Sequence, residues 1–161
     1  MALTSDERHR LMARYRDAAD AFRAAIADVT DDELDRHGID GEWTVREIAH
    51  HLADSELASA IRLRRLIAED EPLIQSYDEE AYVRRLHADT RPIATSVDAA
   101  AAARASSLTI LEALTDDEWR RTVRHSDEGE YSVDDWLRTY ASHPWDHADQ
   151  ARRVLAALRA G

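Results

Sequence analysis

The sequence predicts an all-α protein: a four-helix bundle with a long crossover connection, formed as a single domain by residues 1–161. Only 4 glycines and 3 prolines interrupt a chain rich in alanine, leucine, arginine and glutamate, a composition that favours helices. Apolar residues recur at spacings of three and four, and two of these stretches begin with a capping-box sequence. A length of 161 residues suits one domain with a substantial core.

The first two helices each carry one apolar stripe. The first is predicted from about Ser5 to Asp28, and its stripe consists of Leu11, Tyr15, Ala18, Phe22, Ile26 and Val29. The second is predicted to begin after Thr44, which forms a capping box with Glu47, and to reach about Ala68. Its stripe consists of Val45, Ile48, Leu52, Ser59, Leu63 and Leu66.

Residues 70–93 form the predicted crossover connection, which holds Pro72, Pro92 and a short helix from about Asp78 to Leu86. A connection of this length can carry the chain across the end of a bundle. The third helix is predicted over about 96–114, with an inward face of Val97, Ala101, Leu108 and Leu111.

The fourth helix is predicted to start at a second capping box, Ser132 with Asp135, and to reach about Leu158. The sequence T-D-D-E occurs at 30–33 and again at 115–118, ahead of both box-capped helices. This repeat suggests two helix pairs that are entered in the same way, although T-D-D-E is also simply a common helix start.

Charge and composition exclude several classes of function. The net charge of −12 repels phosphate backbones and argues against nucleic-acid binding. The chain has no cysteine, so any thiol chemistry must use a thiol carried by a substrate. The N-terminus lacks an apolar signal core and no run approaches a membrane span, so we expect a soluble cytoplasmic protein without a membrane partner.

Two histidines of the fourth helix, His143 and His147, have the spacing that places side chains on one helix face. Pro144 lies between them and cannot donate the helical hydrogen bond to the carbonyl of Tyr140. The apolar stripe keeps its phase on both sides of the proline, which predicts one kinked helix. The alternative is a new helix with Pro144 at its first position; the two histidines stay about one turn apart in either case.

A third histidine, His51, adjoins the apolar stripe of the second helix, whereas His50 is turned further away. Three neutral imidazoles with an open position are a common zinc arrangement, although nickel, iron and copper also accept imidazole. An isolated H-x-x-x-H is more often a solvated pair, so the partner at His51 is what favours a metal site. The remaining histidines are expected at the surface: His9, His37, His87 and His125.

Three segments together resemble the DinB/YfiT-like superfamily of four-helix-bundle metalloproteins. They are W-T-V-R-E-I-A-H-H-L-A-D-S-E (43–56), E-D-E-P-L-I-Q-S-Y-D-E-E-A-Y (69–82) and H-P-W-D-H-A-D-Q (143–150). The likeness covers roughly residues 10–155. The first two segments look especially like the YfiT branch, which holds metal-dependent hydrolases and bacillithiol S-transferases.

The resemblance implies a bundle of DinB/YfiT type, a homodimer and a metal triad of His51, His143 and His147. His51 is chosen over His50 because the family's ligand directly precedes L-A-D. One divalent ion per chain is implied, zinc first, with nickel, iron or manganese as alternatives.

YfiT-branch proteins carry further histidines around the last pair, and four other residues stand there in this chain: Pro144, Trp145, Asp146 and Gln150. We therefore expect the wall that faces the substrate to differ. Asp146 and Gln150 are predicted to orient the ligand histidines through their second ring nitrogens.

The predicted site is consistent with three functions, two of which act on a small-molecule substrate. The leading hypothesis is a transferase in which the metal holds a low-molecular-weight thiol, such as bacillithiol or mycothiol, as the thiolate that attacks an electrophile. The alternative is a hydrolase that uses a metal-bound water, with Asp54 or Glu56 as the candidate base. The third is a non-enzymatic scaffold stabilised by a metal. Arg62 and Arg65 are candidates for binding the thiol's carboxylates, although arginines on a helix are more often solvated.

Overall fold

The computed structural model describes residues 2–161, which form four long helices, three short helices and three short strands. The long helices are α1 (Ser5–Ala25), α3 (Val45–Ala68), α5 (Ile93–Ala113) and α7 (Val133–Ala160). The short helices are α2 (Asp31–Asp35), α4 (Glu79–Arg85) and α6 (Asp116–Trp119). The predicted all-α four-helix bundle is confirmed, with α1 ending three residues early and α5 starting three residues early.

Capping boxes start most of these helices. Both predicted boxes form, Thr44 with Glu47 at α3 and Ser132 with Asp135 at α7. In each box the hydroxyl oxygen accepts from the backbone N–H three residues on, and the carboxylate there accepts from the N-cap N–H. The two T-D-D-E sequences form the same box at α2 and α6, so each is a short helix of its own ahead of a long one.

A small sheet at one side of the bundle was not predicted. Its strands are β1 (Leu73–Ile74), β2 (Thr122–His125) and β3 (Gly129–Ser132). β1 pairs in parallel with β2, and β2 pairs antiparallel with β3. Strands of two and four residues are too short to show a period-two pattern, which explains why sequence reasoning treated both segments as connections.

Helix directions follow from the contacts between helix ends. At the start of α1, Arg8 pairs with Asp134 at the start of α7, so these two neighbours run in parallel. His50 near the start of α3 contacts Ser96 near the start of α5, so this pair is parallel as well. Contacts of α1 with α5, and of α3 with α7, join the second half of the earlier helix to the start of the later one, so these pairs are antiparallel. The four long helices therefore run up, down, down and up in chain order.

The parallel arrangement of α3 and α5 makes the crossover connection necessary. A helix of 24 residues is about 36 Å long, and the chain must travel back along that length before α5 can start beside the beginning of α3. Residues 69–92 do this through β1 and α4. The crossover predicted from residues 70–93 is therefore confirmed.

Two apolar clusters fill the interior, and buried polar groups lie between them. One cluster surrounds Tyr15, Leu63 and Trp136, and the other surrounds Phe22 and Ile48. The helices bring polar side chains into the interval between the clusters: Ser55, Glu56, Arg104, His51 and His143. The candidate site lies in this middle layer.

Helix α7 runs without a break from Val133 to Ala160 and includes Pro144. The alternative of a new helix that starts at Pro144 is therefore wrong. Among the helices of residues 2–161, none combines the length and the apolar run needed to cross a membrane.

Candidate metal centre

Three histidine side chains meet in the middle layer of the bundle. The Nε2 atom of His143 lies 3.3 Å from that of His51 and 3.1 Å from that of His147. One ligand atom from each histidine lies within 4.8 Å of the others. His51 comes from α3, whereas His143 and His147 come from successive turns of α7. The structure therefore brings together the three residues that were predicted to form the triad.

The spacing of these nitrogens suits a divalent ion. Imidazole nitrogens about 2.0–2.1 Å from a tetrahedral zinc are separated by about 3.4 Å from each other. The two distances of 3.1 and 3.3 Å are close to that value. Three neutral imidazoles whose donor atoms converge within 4.8 Å are a donor set that fits a metal.

Burial keeps the imidazoles neutral, the form that binds a metal. Desolvation lowers the pKa of His51 to about 3, and the neighbouring His147 lowers it further. The pKa of His143 is lowered to about 3 for the same reasons, burial first and then the other two histidines. Burial also lowers the pKa of His147, although its hydrogen bond to Gln150 acts in the opposite direction.

The second ring nitrogens are held in different ways. Nδ1 of His147 lies 2.8 Å from Oε1 of Gln150, so it donates to that oxygen and leaves the Nε2 lone pair toward the site. Nδ1 of His143 is buried and has no hydrogen-bond partner in residues 2–161. Asp146, the other residue predicted to orient a ligand, is exposed, and no hydrogen bond joins it to a histidine in this part of the chain.

Aromatic rings enclose the histidines. The ring of Trp43 lies 4.6 Å from that of His51 and stacks on that of His147 at 6.2 Å, measured between centroids. On the other side, the ring of Tyr140 meets His143 edge-on at 6.3 Å. Trp43 directly precedes the N-cap of α3, so the capping box that starts this helix also sets the position of the ring.

A pocket of about 310 Å³ opens beside His143. Arg62 reaches into its wall, donating from Nη1 to the hydroxyl of Tyr140 at 2.7 Å and from Nη2 to the carbonyl of Gln75 at 2.6 Å. Its guanidinium lies 5.6 Å from the ring centroid of Tyr77. Other polar residues of the wall are Ser55, Ser76, Glu79, His125, Asp127, Glu128, Tyr131 and Thr139.

Comparison with known proteins identifies the family. The family model described as the DinB superfamily matches residues 14–151. The chain belongs to the DinB superfamily.

Within the DinB superfamily the chain is similar to several bacterial proteins named "putative metal-dependent hydrolase". One from Oceanobacillus iheyensis is 32% identical over 126 residues, which cover 78% of this chain and 73% of the relative. YfiT of Bacillus subtilis is 32% identical over 127 residues, covering 78% of this chain and 71% of YfiT.

The solved structure of YfiT from Bacillus subtilis superposes with a TM-score of 0.88 at 26% identity, covering 99% of this chain and 90% of YfiT. That protein is described as a probable metal-dependent hydrolase with an unusual four-helix bundle topology. The up-down-down-up order of the long helices agrees with this likeness.

The two carboxylates predicted as a catalytic base, Asp54 and Glu56, do not line the pocket beside His143 in this DinB-superfamily structure. Glu56 is buried in an ion pair with Arg104, with 2.5 Å between Oε1 and Nη1. Asp54 lines an adjoining groove of about 520 Å³, which shares Arg62, Ser76 and Tyr77 with the pocket beside His143. Burial raises the pKa of Asp54.

Arg65 also lies away from the pocket, because its guanidinium binds Glu69 and the carbonyl of Leu73. Of the two arginines that were predicted to bind a carboxylate, Arg62 lines the pocket.

Two histidines differ from expectation. His50 is fully buried, with Nδ1 2.8 Å from the Ser96 hydroxyl and Nε2 3.0 Å from the carbonyl of Arg91, so it joins α3 to α5. His125 was expected at the surface, but it is only 6% exposed because strand β2 turns it under Tyr131. The other three histidines expected at the surface are exposed: His9, His37 and His87.

Proposed function

We propose that this chain is a metal-dependent enzyme that transfers a low-molecular-weight thiol to a small electrophile held beside His143. The observation that carries the metal site is the convergence of three neutral Nε2 atoms at 3.1 and 3.3 Å. A divalent ion bound there supplies a Lewis acid that keeps a coordinated thiol in its thiolate form near neutral pH. Zinc suits this donor set best, and nickel, iron or manganese are alternatives.

The protein groups have separate roles in this proposal. Gln150 orients His147, and the ring of Trp43 shields the two histidines that it contacts from water. Arg62 and the Tyr140 hydroxyl offer a cation and a polar hydrogen in the pocket, which suit a carboxylate on the thiol or on the electrophile. In the reaction, the thiol S–H bond breaks and its proton leaves to solvent while the sulfur bonds to the electrophilic carbon. That carbon loses its bond to a leaving group, which departs with the electron pair and takes up a proton where it needs one.

The placement of the two predicted bases, Asp54 and Glu56, favours transfer over hydrolysis. A thiol that is deprotonated by coordination needs no general base, whereas attack by water generally uses one. Glu56 is occupied by Arg104, and Asp54 lines a different groove. Neither of these two residues therefore lines the pocket beside His143.

Hydrolysis remains the second candidate because three carboxylates line the same pocket as His143: Glu79, Asp127 and Glu128. Burial raises the pKa of Glu79, which moves it toward the range of an effective general base. The names of the relatives from Oceanobacillus iheyensis and Bacillus subtilis also favour this reaction.

Metal analysis of the purified protein tests the site. We expect about one divalent ion per chain, since the three donors form one cluster, and loss of the ion in His51→Ala and in His147→Ala. His87→Ala is the matched control, because His87 is exposed and outside the cluster. Full metal occupancy in both triad variants would refute the proposed site.

Substrate assays then separate the reactions. The metal-loaded protein is incubated with a model electrophile and bacillithiol, mycothiol or glutathione in turn, and both the thiol and the electrophile are measured. Equal consumption of one thiol and the electrophile, abolished in His51→Ala, supports transfer. Turnover of esters or amides without thiol consumption, reduced in Glu79→Gln, supports hydrolysis instead. Metal-dependent stability without turnover of any substrate would favour the scaffold.

A further inference from the structure

One arginine contacts all three of the other long helices. Arg104 lies on α5 with 3% of its side chain exposed, and its Nη1 is 2.5 Å from Oε1 of Glu56 on α3. Its Nη2 donates to the carbonyl of Tyr15 on α1 at 2.7 Å and to the carbonyl of Tyr140 on α7 at 3.1 Å. The guanidinium also lies 3.7 Å from the ring centroid of Tyr15. A single side chain therefore joins the four helices in the middle layer.

The carbonyl of Tyr140 is special among these acceptors. In an α-helix it would accept from the N–H of residue 144, but residue 144 is proline, which has no N–H. A buried carbonyl without a donor costs about 1–3 kcal/mol. Nη2 of Arg104 is a donor from outside the helix, at the place where the proline removes the helical one.

This bond lies within the part of α7 that carries the metal ligands. Tyr140 is one turn before Pro144, and His143 and His147 occupy the same turn and the next. The other end of the link, Glu56, belongs to α3 and lies less than two turns after His51. Arg104 therefore spans the two helices whose separation sets the distances between the three Nε2 atoms.

We propose that Arg104 is a positioning residue for the histidine site: it holds the carbonyl that Pro144 leaves without a helical donor, and so fixes the ligand-bearing turn of α7 against α3. The proposal rests on the metal site inferred above. The proline and the arginine depend on each other through the carbonyl of Tyr140. Without Arg104 the proline would leave a buried carbonyl unpaired, and without the free carbonyl the buried guanidinium would have one acceptor fewer.

If Arg104 served only as the ion-pair partner of Glu56, its substitution would have different effects. If Arg104 only balanced the charge of Glu56, a lysine would replace it, and the residue at position 144 would make no difference. If Arg104 acts through the Tyr140 carbonyl, lysine is inadequate, because one ammonium group cannot replace the several directed donors of the guanidinium. Restoring an N–H at position 144 should then relieve the defect.

The test is a double-mutant cycle of Arg104→Lys and Pro144→Ala, read by zinc dissociation constants from chelator competition and by the visible spectrum of the cobalt-loaded proteins. We expect Arg104→Lys to raise the zinc Kd about tenfold, as loss of outer-shell support typically does, and to alter the cobalt spectrum. With alanine at position 144, whose N–H can donate to Tyr140, we expect the same substitution to change the Kd by less than about twofold.

Arg64→Lys is the matched control, because Arg64 also joins α3 to α5, through Ser106, but does not reach α7. It should leave the Kd and the spectrum unchanged. An equal effect of Arg104→Lys whether position 144 holds proline or alanine, or no effect in either background, would overturn the proposal.

For variants that fold too poorly for a zinc titration, thermal unfolding of the metal-free protein is measured instead. Recovery of a folded Arg104→Lys protein by Pro144→Ala supports the link, and failure to recover contradicts it. The wild-type protein and His51→Ala are measured in parallel. If their zinc affinities are equal, the metal site itself is wrong, and this outcome is distinct from a failure of the Arg104 proposal.

Discussion

Gln150 decides which nitrogen of His147 faces the site. Its side-chain oxygen accepts from Nδ1 at 2.8 Å, which leaves Nε2 unprotonated and directed at His143. The sequence suggested both Asp146 and Gln150 for this role, since both lie near the ligand pair. The residue three positions after His147 shares its helix face, whereas Asp146 points to solvent.

We expect Gln150→Leu to weaken zinc binding by about tenfold, because His147 then loses its orienting partner and both ring tautomers become accessible. Chelator competition measures the change. Asp146→Asn is the control and should leave the Kd within about twofold, since its side chain is exposed. A larger effect at Asp146 than at Gln150 would reverse the assignment.

At the scale of single elements, helix α7 keeps the spacing of His143 and His147 although Pro144 lies between them. The capping box of Ser132 and Asp135 starts the helix, and the apolar stripe stays in phase to its end. A proline removes one hydrogen bond but does not change the number of residues per turn, so His143 and His147 remain on the inner face. Spacing alone was sufficient to predict this.

The loop between α2 and α3 depends on one glycine. A Cβ atom added at Gly38 would lie 2.3 Å from the carbonyl oxygen of Val154 and 3.0 Å from Cγ of Leu158. Both belong to α7, whose backbone cannot move aside without disturbing the core. The loop continues to Trp43, which packs on the histidines, so the close approach at Gly38 also affects the site.

We expect Gly38→Ala to lower the free energy of unfolding by about 1–3 kcal/mol, the usual cost of forcing extra volume into a packed contact. Urea unfolding of the metal-free protein measures the loss. Gly161→Ala is the control and should change stability by less than about 0.5 kcal/mol, because the nearest atom to its added Cβ is 3.9 Å away. Equal stability of Gly38→Ala and wild type would show that the loop shifts freely.

At the scale of the whole molecule, the buried pair of Glu56 and Arg104 links stability to pH. Burial raises the pKa of Glu56 from 4.5 to about 7, despite the opposing effect of Arg104. Between pH 4.5 and 7 the carboxyl group of Glu56 is ionised in the unfolded chain but still protonated in the folded protein. Stability therefore falls as the pH rises through this window and becomes independent of Glu56 above it.

Relative to Glu56→Gln, we expect the free energy of unfolding of wild type to fall as the pH rises from 4.5 to 7, with no further loss above pH 7. Urea unfolding of both metal-free proteins across this range measures the difference. Glu33→Gln is an opposite control: Arg159 and the cap at Thr30 lower the pKa of Glu33 to about 2, so its contribution is lost as the pH falls. A wild-type advantage over Glu56→Gln that grows with pH would contradict the raised pKa.

The predicted homodimer, also a property of the whole molecule, stays a prediction. The bundle itself needs no second copy to place the three histidines, because all three come from α3 and α7 of one chain.

The sequence by itself determined the helices, their inward faces and the spacing of His143 and His147, because these depend on interactions between residues a few positions apart. The apolar stripe of the second helix and the resemblance to a known family both favoured His51 as their partner. Only the tertiary structure decided what surrounds them: Trp43 on the histidines, Arg62 in the pocket wall, His125 beneath Tyr131. The bond from Arg104 to the Tyr140 carbonyl joins residues 36 positions apart. Contacts of this kind depend on how helices pack, and no local period in the chain encodes them.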